Sequence, residues 1–370
     1  MTSRLRMVLI GATPPHRGGV AHFTGMLSTW VRRQHDVTVW GFDPLYPRWL
    51  FPGNTTHDPS QTPVACQVDV WMDGTKPWQW WRQLHTLNAG MYDVVIWQWW
   101  TPYWIPLLWM LQHATRRAGI PTIAISHQLV EPDAPMWQQW LARWMLGHAD
   151  GVVFLGDQTT MPRTWTSPWR CAPLPLHHAV MPHPLPTRAA ARQQLGIDAD
   201  ANVVLFFGFV RRYKGLDTLL QAMQATTQPC VLVIAGEWWD DVRHLLQPLV
   251  THPALRDRLI IHDHYIPNEQ VANYMQAADV LVLPYRSGSV SGVATLAAQV
   301  GLPVLASTSG AIAQQASTVA TIPATDSAAW ARALDTFFAQ PAPPRIPHEV
   351  DASWQFFSQQ LSEVWHDITS

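Results

Sequence analysis

Residues 281–304 read LVLPYRSGSVSGVATLAAQVGLPV, four textures in one run. The apolar stretch 281–283, closed by Pro284, predicts a buried parallel strand ending at its carboxyl edge. A loop of small residues follows, Ser287-Gly288-Ser289-Val290-Ser291-Gly292, and then a helical run from about 293 to 300. Gly301-Leu302-Pro303-Val304 turns back into another strand. Ser291 is a natural N-cap, and Gly292 lets another molecule come close to the backbone. A strand end, a small-residue loop and a helix start together favour an anion, because free N–H groups and the helix dipole converge there. The same pattern also serves as a plain helix start, so the surroundings decide.

Upstream, the strand pattern restarts at 202–207 (NVVLFF) and runs into Gly208-Phe209-Val210-Arg211-Arg212-Tyr213-Lys214-Gly215. A helix is expected over 216–223 and strands over 230–235, 259–262, 278–284 and 304–307, an alternation that gives a parallel α/β sheet. The amino-terminal half shows the same grammar. A strand at 4–11 leads into Pro14-Pro15-His16-Arg17-Gly18-Gly19, then a helix at 21–33 and a strand at 36–40. That is a Rossmann-like opening without the GxGxxG fingerprint, so no dinucleotide is indicated. Further strands fall at 92–97, 121–126 and 151–155, the last expected to close the sheet. Helices are expected over 102–118 and 137–148. In the latter, Trp137, Trp140, Leu141 and Trp144 form a stripe expected to be mostly core. Residues 43–90 carry few signals, and the proline-dense 161–187 read as the connection between domains. The expected division is 1–185 and 186–350, with an amphipathic helix from about 351 packing back across the junction.

Composition narrows the function. Of 370 residues only 14% are charged, and the net charge is −2, which argues against a nucleic-acid partner. Cys66, Cys171 and Cys230 have no paired spacing, pointing to a reducing, cytoplasmic setting without a zinc site. Seventeen of the 22 tryptophans precede residue 190. The most apolar stretch, 97–111, is shorter than the about 20 residues that span a bilayer and holds two prolines. Tryptophans of this density suit sugar stacking or a peripheral contact with the inner face of a membrane.

Arg211 and Lys214 follow a glycine at a strand end, and the Ser291-Gly292-Val293 helix start lies later in the same half. Two fixed cations and a ring of backbone donors suit a diphosphate leaving group without requiring a metal. His127 follows the strand at 121–126, on the carboxyl edge where ligands of open α/β sheets gather.

These ordered motifs resemble those of the GT-B retaining glycosyltransferases of family 4. PPHRGGVAHFTGMLSTWVRRQHDVTVW resembles that family's glycine-rich opening, GFVRRYKGLDTLLQAM its donor motif, and YIPNEQVANYMQAADVLVLPYRSGSVSGVATLAAQVGLPVLAS its nucleotide-binding core. A subgroup with FGF-x-R-x-YKGLD and PYRS…SGV is the nearest likeness. The resemblance implies two Rossmann-like domains facing across a cleft, the first for acceptor and the second for a nucleotide-diphospho-sugar. It gives Arg211 and Lys214 the departing diphosphate, Gly208, Ser289 and the Ser291–Gly292–Val293 amides its oxygens, and Tyr265-Ile266-Pro267 the base. It brings Gly18 and Gly19 to the donor and His127 to the reacting sugar. The donor is the co-substrate, with no cofactor or metal, and a saccharide or lipid-linked saccharide is the acceptor.

The chain departs from the family at the Glu-x7-Glu pair, where Gly288 and Leu296 stand, and at Ala311-Ile312-Ala313-Gln314. A non-catalytic sugar or nucleotide binder is therefore an alternative. A GT-B epimerase is another, but it would want a set of cleft carboxylates, for which Glu131, Asp133 and Glu237 are the scattered candidates. The sequence leaves oligomeric state, donor sugar and base open.

Overall fold

The computed structural model describes residues 4–47, 56–128, 135–156, 165–177, 179–181, 183–288, 290–309, 312–313 and 317–370. The chain divides into two compact units. The first comprises 1–59, 63–175 and 351–370, and the second 60–62 and 176–350. Residues 176–185, assigned from sequence to the first domain, thus belong with the second, where Leu176, Val180 and Met181 are buried.

In the first unit the elements run β1 (Arg6–Ile10), α1 (Gly19–Val31), β2 (Asp36–Phe42), β3 (Val70–Met72), α2 (Pro77–Leu84), β4 (Val94–Trp99), α3 (Ile105–Ala118), β5 (Thr122–Ser126), α4 (Met136–Leu146), β6 (Gly151–Leu155) and β7 (Trp169–Ala172). The strands form a parallel sheet in the order β3-β2-β1-β4-β5-β6-β7. The sheet therefore does not close at β6. Four residues inside the proline-dense stretch pair as an edge strand, a place where nearby prolines are tolerated because one side needs no ladder. The Pro/Trp-rich 43–90 likewise hid β3 and α2, which are too short for periodicity to reveal.

Alternation along the strands sends each second side chain to one face. Val8, Ile10, Trp40, Val95, Trp97 and Val152 join a core with Trp80 and Leu84 of α2, Leu107, Leu108 and Leu111 of α3, and Ala142 and Met145 of α4. Trp104 sits at its centre, with the rings of Phe42 at 4.3 Å, Tyr103 at 5.0 Å and Trp100 at 5.7 Å. The other face is covered by α1 and by the last helix of the chain, Val350–Thr369. Its Trp354 stacks on Phe23 of α1 at 5.8 Å, Phe357 meets the same ring edge-on at 5.6 Å, and Trp30 Nε1 donates to Ser358 Oγ at 2.6 Å.

The second unit runs α5 (Arg188–Leu195), β8 (Asn202–Phe207), α6 (Leu216–Ala225), β9 (Cys230–Ala235), α7 (Asp240–Val250), β10 (Leu259–His262), α8 (Asn268–Ala277), β11 (Val280–Leu283), α9 (Gly292–Gln299), β12 (Val304–Ser307), β13 (Thr318–Ile322) and α10 (Ser327–Ala339), with Val350–Thr369 then α11. Its parallel sheet has the order β10-β9-β8-β11-β12-β13. Strand order reverses between β1 and β4 in one sheet and between β8 and β11 in the other. Crevices at the carboxyl ends of open sheets form at such reversals. Among the described residues, no helix is long and apolar enough to cross a membrane.

Candidate functional site

The β8/β11 reversal gathers most of the second unit's candidates. β8 delivers Gly208, whose φ of 89° and whose N–H, donated to Ala235 O at 2.8 Å, turn the chain sharply at the strand end. After β9, Gly236 has φ 149°, and a Cβ there would lie 2.2 Å from the Gly208 carbonyl oxygen, so both turns depend on glycine. Beyond Gly208 a short 3₁₀ turn at Arg212–Lys214 ends on Gly215 at φ 71°, and α6 begins. That turn tucks Lys214 inward to 7% exposure.

A Cβ on Gly208 would lie 3.3 Å from Lys214 Nζ and 3.4 Å from Val293 Cγ2. The lysine end and the start of α9 therefore flank one glycine. Lys214 Nζ also lies 5.7 Å from the centre of the buried Tyr285 ring. Ser291 caps α9, its side chain accepting from Ala294 N at 3.3 Å, and also hydrogen-bonds the Tyr285 phenol. Burial, with Arg211 adding like-charge repulsion, pulls the Lys214 ammonium down to about 7. Burial likewise pushes the Tyr285 phenol up, so it is a neutral donor or acceptor at physiological pH.

Arg211 is half-buried and its guanidinium lies 4.1 Å above the Trp239 ring. Phe209 links this side to the base candidates, with Trp239 at 6.5 Å and Tyr265 at 6.2 Å between ring centres. Ile266 is buried, and Pro267 leads directly into α8. One further residue joins the cluster from the proline-rich segment. A Cβ on Gly292 would meet His177 Cε1 at 2.9 Å, so the buried His177 ring rests against the start of α9. No motif marked it; its signal is the absence of a side chain at Gly292. Ser289 lies outside the described residues, as do Glu131, Asp133, Ala311 and Gln314. Leu296, where the resemblance implies a carboxylate, is buried in α9, and Gly288 has φ 136°.

The β1/β4 reversal of the first unit holds a separate polar chain. His127, which follows β5, hydrogen-bonds through Nε2 to Gln98 Oε1 at 2.7 Å. Gln98 Nε2 donates to Thr24 Oγ1 at 2.8 Å, and Thr24 donates to Val20 O at 2.9 Å. Gln98 and Thr24 are buried, and a Cβ on Gly11 would come within 2.5 Å of Gln98 Nε2, so Gly11 makes room for the relay. Phe23 meets the His127 ring edge-on at 4.9 Å. Burial lowers His127 to about 3, keeping the imidazole neutral. As Gln98 must accept from it, His127 carries its proton on Nε2. Gly18 caps α1 at φ 109° with no side-chain cap bond, and a Cβ on Gly18 or Gly19 would meet nothing within 4 Å. Gln98 and Thr24 lie within stretches quoted above but carry no independent signature.

Among the described residues one group brings metal-type donors within 4.8 Å of each other: His16, Asp43 and His57. His16 Nε2 is already engaged with the Phe42 carbonyl at 2.6 Å, and the His16–His57 rings stack at 5.0 Å, an arrangement that pins the loop before α1. Glu237 is buried after β9, three residues before Asp240 opens α7.

Comparisons with known proteins agree on both halves. Residues 17–161 match the Glycosyl transferase 4-like domain, and residues 201–340 match Glycosyl transferases group 1. The D-inositol 3-phosphate glycosyltransferase of Streptomyces scabiei is 33% identical over 208 residues, which is 49% of this chain and 45% of that protein. The protein of the same name from Xylanimonas cellulosilytica is 31% identical over 134 residues, 36% of this chain and 32% of its own. The chain thus spans less than half the length of these relatives. Among solved structures, sucrose-phosphate synthase from Thermosynechococcus elongatus aligns at TM-score 0.72 and 20% identity, covering 99% of both chains. Anabaena HepE, solved in complex with UDP and glucose, aligns at TM-score 0.73 and 14% identity over 98% of this chain and 100% of its own. At those identities the likeness is one of fold.

Proposed function

We propose that this chain, which belongs to the GT-B glycosyltransferase family, moves a sugar from a nucleotide-diphospho-sugar to an acceptor hydroxyl with retention and without a metal. The observation that carries the reading is the buried Lys214. An ammonium held at about 7, beside Arg211 and at the start of α9, is poorly solvated until an anion arrives. A diphosphate supplies that anion, and its charge grows as the sugar–oxygen bond breaks. Lys214, Arg211 and the Gly292 and Val293 amides are then donors whose interaction strengthens toward the transition state. Tyr265 and the Phe209–Trp239 rings offer the base a stacking surface.

Retention follows a front-face exchange. The bond from the anomeric carbon to the phosphate oxygen breaks as the bond to the acceptor oxygen forms on the same face. The acceptor proton passes to the departing phosphate oxygen, so no protein base is required. His127, neutral and with its Nε2 proton given to Gln98, offers Nδ1 as an acceptor toward a sugar hydroxyl, and Gly18-Gly19 admit the donor close to the backbone of α1. A saccharide or lipid-linked saccharide accepts the sugar in the cytoplasm.

The buried Leu296 supports a second reading, a binder without turnover, because no carboxylate stands there to reach a ribose. Incubation of the protein with a panel of nucleotide-diphospho-sugars and acceptors, read by mass spectrometry, separates the two. Transfer or slow donor hydrolysis that Lys214→Ala abolishes supports the enzyme. Tight nucleotide binding with neither product supports the binder.

A further inference from the structure

Contrary to the expected buried stripe on α4, Trp137 and Trp140 are 59% and 64% exposed, because the helix docks on the sheet through Ala142, Met145 and Leu146 instead. They are not isolated. Trp78 and Trp81 of α2 are 64% and 56% exposed, Trp109 of α3 is 45% exposed, and Met136 opens α4 at 76%. α2 packs on α3 and α3 on α4, and Trp109 stacks on Trp144 at 5.2 Å across the latter pair. These three helices are the layer whose inner side fills the first unit's core.

Charge on the layer is one-sided. α2, α3 and α4 contain no Asp or Glu, yet they carry Arg82, Arg116, Arg117 and Arg143, all exposed, in a chain whose net charge is −2. Among the described residues, two acids flanking these helices are tied up. Asp73 pairs with Lys76 at 2.6 Å and accepts from Thr75, and Asp150 accepts from Thr122 N at 2.8 Å and its Oγ1 at 2.9 Å.

We propose that the outer side of α2, α3 and α4 is a docking surface for an anionic lipid bilayer. Indole rings favour the boundary between water and acyl chains, and arginines beside them meet lipid phosphates. A polar protein partner would be met by ion pairs of both signs, whereas α2, α3 and α4 themselves carry only cations. With helices lying flat and none able to span, the attachment is peripheral and reversible.

The test is sedimentation of the whole protein with vesicles of phosphatidylcholine alone or mixed with phosphatidylglycerol. The expected result is capture by the mixed vesicles, weakened at least tenfold in Trp137→Ser/Trp140→Ser and in Arg116→Glu/Arg117→Glu, with a blue shift of tryptophan emission on binding. All four side chains are exposed, so nucleotide binding should be unchanged in both variants; this separates the surface from the proposed donor site. Melting temperature should be unchanged in the tryptophan variant, while the arginine variant should melt lower only by the loss of the Arg116 bond to His148 O and of cations from the last turn of α3. Three results would each overturn the proposal: no capture by either vesicle, equal capture of parent and variants, or a tryptophan-dependent dimer that ignores lipid.

Discussion

Lys214 gives the sharpest prediction. Its ammonium falls from 10.5 to about 7 on folding, and at about 1.36 kcal/mol per unit that amounts to about 5 kcal/mol against the charged form in the unliganded protein. Because the folded value is lowered, the unfolded chain holds an extra proton between about pH 7 and 10.5. Stability therefore rises with pH across that window, and the penalty is full below it. A bound diphosphate reverses the preference by pairing with the ammonium. Above pH 7 binding must draw in a proton, close to one per site by pH 8, and affinity should fall about tenfold per pH unit from 7 to 9. The diphosphate's own last ionisation, near about 6, is complete over that range. Titration calorimetry with a nucleoside diphosphate, in buffers of different ionisation heat, reads both quantities. Lys214→Met keeps the bulk and removes the charge. It should bind at least a hundredfold more weakly and lose the pH slope, yet melt higher than the parent at pH 7, with the gap narrowing by about 1.4 kcal/mol per pH unit toward pH 9. Binding that is flat from pH 7 to 9, without proton uptake, would refute the reasoning.

The remaining predictions concern the scaffold around both clusters. Gly11→Ala should push Gln98 away from His127 and Thr24, lowering turnover tenfold or more, while nucleoside diphosphate affinity stays within twofold of the parent. Gly236→Ala places a methyl against the Gly208 carbonyl oxygen in a positive-φ turn, and urea unfolding should show a loss of about 3 kcal/mol or more. Trp354→Ala empties a fully buried site under α1 and should cost about 3–5 kcal/mol, with limited proteolysis now releasing the last helix.

Much of the second unit was readable because its strands are apolar runs bounded by glycine or proline, and its loops carry glycines that geometry demands. Gly208 and Ser291 are legible since a strand end and a helix cap each restrict the residue type. Their convergence on Lys214 was not, because it depends on β8 and β11 being neighbours, a pairing between segments more than seventy residues apart in sequence. In the first unit, β3 and β7 escaped notice for want of length: three or four residues show no period. The tryptophans of α4 misled for a different reason. Helical spacing identifies a stripe but not which side faces the sheet, and here the smaller Ala142 and the flexible Met145 made the closer fit.

Crystallising the protein with an intact nucleotide-diphospho-sugar tests the central claim most directly. The account predicts the two phosphates beside Gly208, with Lys214 Nζ and the amides of Gly292 and Val293 within hydrogen-bonding distance of their oxygens. A sugar nucleotide bound elsewhere, with Lys214 still enclosed against Tyr285 and touching no phosphate, would contradict it.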